Sequence, residues 1–335
     1  MTVSEMFCER EKTFLSEYAF LTSNTKGREK ECPPCPNRTE FQRDRDRIIH
    51  SKSFRRLMHK TQVFFFPEDE HFRTRMTHTL EVTQIARIIA RALRLNEDLC
   101  EAAALGHDLG HTPFGHSGES AMQKFYSPDF AHYKQSIRVV EKLENDGEGL
   151  NLTYEVKDAM LNHTGKCEAS TLEGKIIKIA DRIAYINHDI DDAIRAEILK
   201  IDDIPEKLLK VLGRGHSERI NNMVSSVISE SMDKPYVRFG EEIGEATMEL
   251  RDFLFENVYT NKIAKAEENK AIEMLGILYE HFVKHPEEMP EVYRKNMETD
   301  PVERCVCDYI SGMTDRYAIE CFRELFVPDM WRRKQ

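Results

Sequence analysis

From Thr74 to Leu95 the apolar residues Met76, Leu80, Val82, Ile85, Ile88, Ile89 and Leu93 mostly return at intervals of three and four. That spacing predicts a helix. Strand-like alternation lasts only a few residues anywhere in the chain, so the pattern predicts an all-α fold. The 335 residues include only 12 prolines and 15 glycines, too few to break many helices. A hydrophobic fraction of 40% is enough for a sizeable core.

The organisation follows from the punctuation. Residues 1–38 read as a helix over 3–22 and then a polar loop or mobile arm over 23–38, which carries three prolines. Residues 39–200 read as the main helical core and 201–335 as a helical C-terminal extension packed on it. The core begins with a helix from Thr39 to about His59, with Ile48, Ile49, Phe54 and Leu57 facing inward. Val63–Phe66 is a strand fragment or a buried loop, followed by a turn at Pro67–Glu70. Asn96 is a cap for a helix over Glu97–His107, and a glycine-rich loop leads to another starting near Ser117. Further helices are expected at 135–143, 152–162, 172–200, 205–212, 216–232, 242–259, 266–285 and 302–325.

Charge and cysteine usage exclude several classes. A net charge of −11 argues against general nucleic-acid binding, which needs Lys and Arg. Cations concentrate between Arg38 and Arg75, which makes that stretch the place to look for phosphate contacts. Most of its members read as a solvated helix face. An apolar run of membrane-spanning length is missing, and Met1–Glu11 lacks the pattern of an export signal. The expected location is therefore the cytoplasm, with the eight cysteines reduced. Cys32 and Cys35 have zinc-knuckle spacing without a second pair at a suitable distance, and they read as ordinary thiols.

Five of the thirteen histidines fall between His78 and His132. The densest stretch is L-G-H-D-L-G-H-T-P-F-G-H-S-G-E (105–119). There a helix ends in the adjacent pair His107-Asp108, followed at once by His111, His116 and Glu119. Imidazole and carboxylate together suit divalent metals. Further ligands must come from other helices, and His78 and Asp181 are the candidates. Asp181 is flanked by Ile179, Ala180, Ile183 and Ala184, and a carboxylate beside an apolar face is costly to bury unless paired or metal-bound. Each of these residues alone is ordinarily a surface or capping group. Together on helices they are a constellation.

That constellation resembles the ligand signature of the HD superfamily of phosphohydrolases: His78, His107-Asp108 and Asp181. Longer strings resemble its bacterial dGTP triphosphohydrolase-like branch. They are F-Q-R-D-R-D-R-I-I-H-S-K-S-F-R-R-L (41–57), K-T-Q-V (60–63), R-T-R-M-T-H-T-L-E-V (73–82), H-D-L-G-H-T-P-F-G-H-S-G-E (107–119) and I-A-D-R-I-A-Y-I-N-H-D-I-D-D-A-I (179–194). The resemblance is dense from about 37 to 195 and thin after 200. It implies an all-α HD core over 39–200 and hydrolysis of a dNTP to deoxynucleoside and inorganic triphosphate. It also implies one divalent ion per site (Mn, Mg, Ni, Fe, Co or Zn), held by His78, His107, Asp108 and Asp181. His111, His116, Glu119 and His132 would line the reacting phosphate. Gln62, Arg75, Arg182, Tyr185 and Asp189 would hold the nucleotide. By resemblance the chain is expected to form a homo-oligomer, with a second nucleotide as an activator in some relatives.

The spacing agrees with that carry-over. Arg75 is one turn before His78 and Arg182 adjoins Asp181, and arginine forks suit phosphate oxygens. Asp181, Tyr185 and Asp189 form one helical stripe about 12 Å long. Tyr185 can pack on deoxyribose, while Asp189 and Gln62 can bond the 3′-hydroxyl. A metal there would polarise an α-phosphate oxygen and activate water, and His116 or His132, charged by Glu119, would serve as acid. Two rival readings are a different HD hydrolase, acting on monophosphates, cyclic dinucleotides or alarmones, and a nucleotide-binding regulator without turnover.

Overall fold

The computed structural model describes residues 1–63, 71–259 and 262–328 of the chain. Among these residues there are sixteen α-helices, short 3-10 and π turns, and two isolated β-bridges, with no extended strand. In order they are α1 (Val3–Phe14), α2 (Glu40–Ile49), α3 (Lys52–Arg56), α4 (Arg75–Ala92), α5 (Glu97–Gly106), α6 (Gly115–Phe125), α7 (His132–Arg138) and α8 (Tyr154–Leu161). There follow α9 (Leu172–Arg195), α10 (Glu206–Leu212), α11 (His216–Ser231), α12 (Glu241–Leu254), α13 (Lys262–Lys284), α14 (Glu291–Lys295), α15 (Val302–Ser311) and α16 (Asp315–Phe326).

The helix starts are written locally. Thr39, Ser51, Thr74, Asn96 and Thr171 each turn a side-chain oxygen onto a backbone N–H of the first turn, which satisfies a donor that the helix leaves orphaned. The central packing unit is α4 against α5 and α9. Val82, Ile85, Ala86, Ile89, Ile176, Ala180, Ile183 and Ile190 are all buried in one apolar cluster between these helices. A second cluster joins α6 to α13, α15 and α16, and a third lies under α2, α5 and α8.

Several helix limits differ from the sequence expectation. The first helix stops at Phe14 instead of reaching residue 22, because Leu15 turns extended and the Ser16 N–H donates to the Arg94 carbonyl. The helix expected over 39–59 breaks at Ser51, whose hydroxyl caps α3. Ile49 is 38% exposed and does not face inward. The helix expected over 302–325 is two: Thr314 caps α16 after a break at Gly312. α9 ends at Arg195, short of 200, and α14 was not foreseen. The run at 63–66 and the turn at 67–70 lie outside the described residues except for Val63.

The segment before α2 is irregular but tied down. Arg28, almost fully buried, reaches Asp44 and Glu40. The cations of α2 are likewise engaged, Arg43 with Glu40, Arg45 with Asp46, and Arg47 with the carbonyls of Leu150 and Asn151. All eight cysteines are free thiols. Among the described residues no helix is long and apolar enough to cross a membrane.

The α5–α6 loop is held in shape by two local constraints. A Cβ on Gly110 would sit 2.1 Å from the Ser136 nitrogen, so only glycine allows the backbone of α7 to pass this close. Phe114 adopts φ 60°, a left-handed turn that starts α6. Its N–H donates to Asp315 Oδ1 of α16.

Candidate metal centre and nucleotide cavity

The start of α4, the end of α5 and the middle of α9 bring the histidines and aspartates together. Ligand atoms of His78, His107 and Asp108 all lie within 4.8 Å of one another. His78 Nε2 is 3.2 Å from Asp181 Oδ1 and 3.7 Å from Asp108 Oδ2, and His107 Nε2 is 3.6 Å from Asp108 Oδ1. Bonds of about 2.1 Å place the ligand atoms of one ion about 3–4 Å apart, so these distances suit a shared divalent cation.

The proton positions agree. His107 Nδ1 lies 2.6 Å from the Ala104 carbonyl, which can only accept, so Nδ1 carries the proton. Its Nε2 is then a bare lone pair, buried and without a hydrogen-bond partner. An orphaned buried acceptor is costly unless a ligand completes it. Burial opposes charge on Asp108, but the surrounding His107 and His111, Arg75 and His78 hold its carboxyl well below the usual range. Arg75 Nη1 makes a 2.9 Å ion pair with it. Burial likewise opposes charge on Asp181, but His78, 3.2 Å away, and His107 outweigh it, so its carboxyl is also held low. Two carboxylates and two imidazoles form a donor set that fits Mn, Fe, Co, Ni or Zn.

A cavity of about 890 Å³ opens from this cluster, within the roughly 300–1,000 Å³ of small-ligand sites. Gln62, Arg75, His78, Asp108, His111, His116, His132, Asp181, Tyr185 and Asp189 all line it; His107 is not among the lining residues. His116 stands at the mouth, its side chain 81% exposed. His111 is buried and stacked on His132, centroids 4.3 Å apart. Burial, with Arg75 and His132 nearby, drives its pKa well below that of a free histidine. Glu119 does not line the cavity. It holds His132 from behind, Nδ1 to Oε2 at 3.2 Å, and is 3.9 Å from His116. Burial works against charge on His132, but the hydrogen bond to Glu119 raises its pKa above the ordinary value. Arg182 does not line the cavity; its charge stands near Tyr185, whose pKa burial pushes up to about 12.

The match to known proteins is extensive. Residues 75–186 match the HD domain and residues 237–324 the phosphohydrolase-associated domain. A deoxyguanosinetriphosphate triphosphohydrolase-like protein of Caldanaerobacter subterraneus subsp. tengcongensis is 56% identical over 331 residues, covering 99% of this chain and 98% of that one. The chain belongs to the deoxyguanosinetriphosphate triphosphohydrolase-like family. Further members include proteins of Clostridium perfringens, 46% identical over 98% of both chains, and Desulfatibacillum aliphaticivorans, 44% identical over 98% of this chain and 99% of that one. The fold is shared with a phosphohydrolase of Bacteroides thetaiotaomicron at TM-score 0.53 and 18% identity, over 84% of this chain and 68% of that one. As a family member this chain is an HD-domain phosphohydrolase, and HD domains bind divalent metal ions.

Other residues of this family member's site escaped sequence reasoning. His163 is buried, with Nε2 3.3 Å from His132 Nε2 and its ring 5.0 Å from that of His107. Burial and the two neighbouring imidazoles push its pKa down to about 4. His188 lies 2.8 Å from His78. Arg251, Phe255 and Tyr259 reach the cavity from the end of α12 and the π turn at Phe255–Tyr259. Phe255 and Tyr259 stand four apart, a weak sequence signal of a shared face. Arg251 looked like any solvated helix cation.

Proposed function

We propose that this chain hydrolyses deoxynucleoside triphosphates, dGTP-like among them, to the deoxynucleoside and inorganic triphosphate, with one divalent ion per site. The observation that carries this reading is the cavity itself. His78, Asp108 and Asp181 line it beside the buried, unpartnered Nε2 of His107, together with Gln62, Tyr185, Asp189 and Tyr259. The names of the relatives, which speak of deoxyguanosine triphosphate, support the substrate class.

His78, His107, Asp108 and Asp181 would hold the ion. When bound it would supply Lewis-acid polarisation of a phosphate oxygen and lower the pKa of water towards ~7. The protein's own groups do the rest. Arg75 keeps Asp108 ionised and in place through its 2.9 Å pair. Arg251 faces the cavity and offers a cation to the triphosphate. Breaking the bond between the α-phosphorus and the 5′-oxygen leaves that oxygen in need of a proton. His132 is the acid, because Glu119 favours its charged form. His111, held neutral and stacked on His132, contacts phosphate by donating its ring N–H, and His116 guards the mouth.

Tyr185 packs on the deoxyribose, with Arg182 positioning its hydroxyl. The Gln62 Oε1 is buried without a partner and can accept from the 3′-hydroxyl. On the same reading the enzyme works on free nucleotides in the cytoplasm. Light scattering after size exclusion tests the expected homo-oligomer, and paired-nucleotide kinetics test the expected activator.

Product analysis of the metal-loaded protein tests the proposal. The panel is each dNTP, GTP, a deoxynucleoside monophosphate, a cyclic dinucleotide and ppGpp. Inorganic triphosphate plus free deoxynucleoside from dNTPs alone is expected. Cleavage of another panel member in place of dNTPs would assign a different substrate, and silence throughout would favour a sensor.

A further inference from the structure

His188 is fully buried in α9, with 0% of its surface exposed, and the reading above gives it no role. Its Nε2 lies 2.8 Å from His78 Nδ1, the two rings perpendicular with centroids 5.0 Å apart. On its other side, Nδ1 is 2.7 Å from Asp189 Oδ1 but off the hydrogen-bonding direction. The second oxygen of Asp189 accepts from the Tyr259 hydroxyl. A line of polar groups therefore runs from Tyr259 through Asp189 and His188 to His78.

Only one arrangement of protons lets His78 ligate a cation through Nε2. That nitrogen must offer its lone pair, so the proton of the neutral ring sits on Nδ1 and is donated to His188 Nε2. His188 Nε2 must then be the acceptor, which leaves the His188 proton on Nδ1, beside the Asp189 carboxylate. His107 obtains the same tautomer more simply, by donating to the Ala104 carbonyl. A carbonyl can do nothing but accept. A histidine can present either face, so the tautomer of His78 depends on that of its neighbour. Outer partners of ligating histidines are ordinarily carboxylates, carbonyls or water; here another imidazole takes that place.

We propose that His188 is a positioning residue that makes His78 a metal ligand, with Asp189 setting the tautomer of His188. The metal end of the cavity is thereby linked to the nucleotide end, where Asp189 and Tyr259 stand. The inference rests on the metal site assigned under the proposed function.

Mn²⁺ affinity of the full chain tests it, measured by titration calorimetry on the wild type and on His188→Leu, His188→Gln, His188→Asn and His78→Ala, with thermal unfolding of each metal-free variant as a check on folding. His188→Leu fills the space without an acceptor and is expected to weaken Mn²⁺ binding about 10- to 100-fold. The longer amide of His188→Gln can place its oxygen near the lost Nε2 and should recover most of the affinity. A role limited to packing predicts that Leu binds at least as well as Gln. Leu within twofold of the wild type, or Gln no tighter than Leu, would overturn the proposal. If the Leu variant fails to fold, His188→Asn replaces it; its shorter amide turns its NH₂ toward the Asp189 carboxylate and leaves its oxygen short of His78 Nδ1, and binding as tight as that of Gln would overturn the positioning role. Unchanged Mn²⁺ binding by His78→Ala overturns the metal site itself, an outcome separate from any behaviour of the His188 variants.

Discussion

His132 Nδ1 lies 3.2 Å from Glu119 Oε2, and the backbone N–H of the same histidine donates to Glu119 Oε1 at 3.0 Å. One carboxylate thus holds both the start of α7 and the ring at the head of it. Of the two histidines that the sequence offered as acid, only His132 makes this close pair; His116 is 3.9 Å away and solvent-exposed.

An acid must be protonated to act, so the rate should fall as pH rises through the raised pKa of His132, above the ordinary value of about 6.5. Glu119→Gln removes the charge that opposes burial and lowers that pKa, so the alkaline fall should begin at lower pH. His132→Ala should cost about 10²- to 10⁴-fold in kcat. A pH profile of kcat/KM from 5.5 to 9, for each variant, checks both expectations.

His107 and Asp181 are expected to be indispensable to the metal site. A metal that binds only the folded state raises stability by about 2.7 kcal/mol at a hundredfold excess over Kd. His107→Ala and Asp181→Ala should lose both that increment and hydrolysis. Thermal unfolding with and without Mn²⁺ reads the first, and triphosphate release the second. Full activity in Asp181→Ala would refute its ligand role.

Arg251 lines the cavity and Arg182 does not. Arg251→Met should raise KM for a dNTP about tenfold, the loss of one charge-assisted contact. Arg182→Met acts only through Tyr185 and should change KM by about twofold. Steady-state kinetics on one dNTP separate the two arginines, and equal effects would contradict the placement.

Lys60 is buried, and its ammonium donates to the carbonyls of His111 and Ser311, tying the cavity loop to the end of α15. Lys60→Met leaves both carbonyls without this donor and should cost about 1–3 kcal/mol of stability by urea denaturation. Burial lowers the Lys60 pKa to about 7, against about 10.4 in the unfolded chain. Between those values the unfolded chain holds a proton that the folded chain lacks, so Lys60 makes stability rise with pH over that window. The rise should be absent from Lys60→Met.

What the sequence determined by itself was local. The 3.6-residue period of α4, the caps at Thr74 and Asn96, the helix-terminal His107-Asp108 pair and the stripe Asp181–Tyr185–Asp189 are all written within a few turns of chain. Helix geometry alone places such residues on one face or at one end, so the main site residues could be named in advance. Tertiary structure decided what lies across from them. His188 meets His78 only because α9 packs on α4, and His163 reaches His132 only because α8 brings its C-terminal end to the cavity. Arg251 and Tyr259 enter from the end of α12. Glu119 chooses His132 over His116 because residues 13 apart meet when α7 turns back on α6. Spacing along a chain fixes neighbours within a helix, whereas partners between helices follow from how apolar faces pack, and the polar groups are carried wherever that packing puts them.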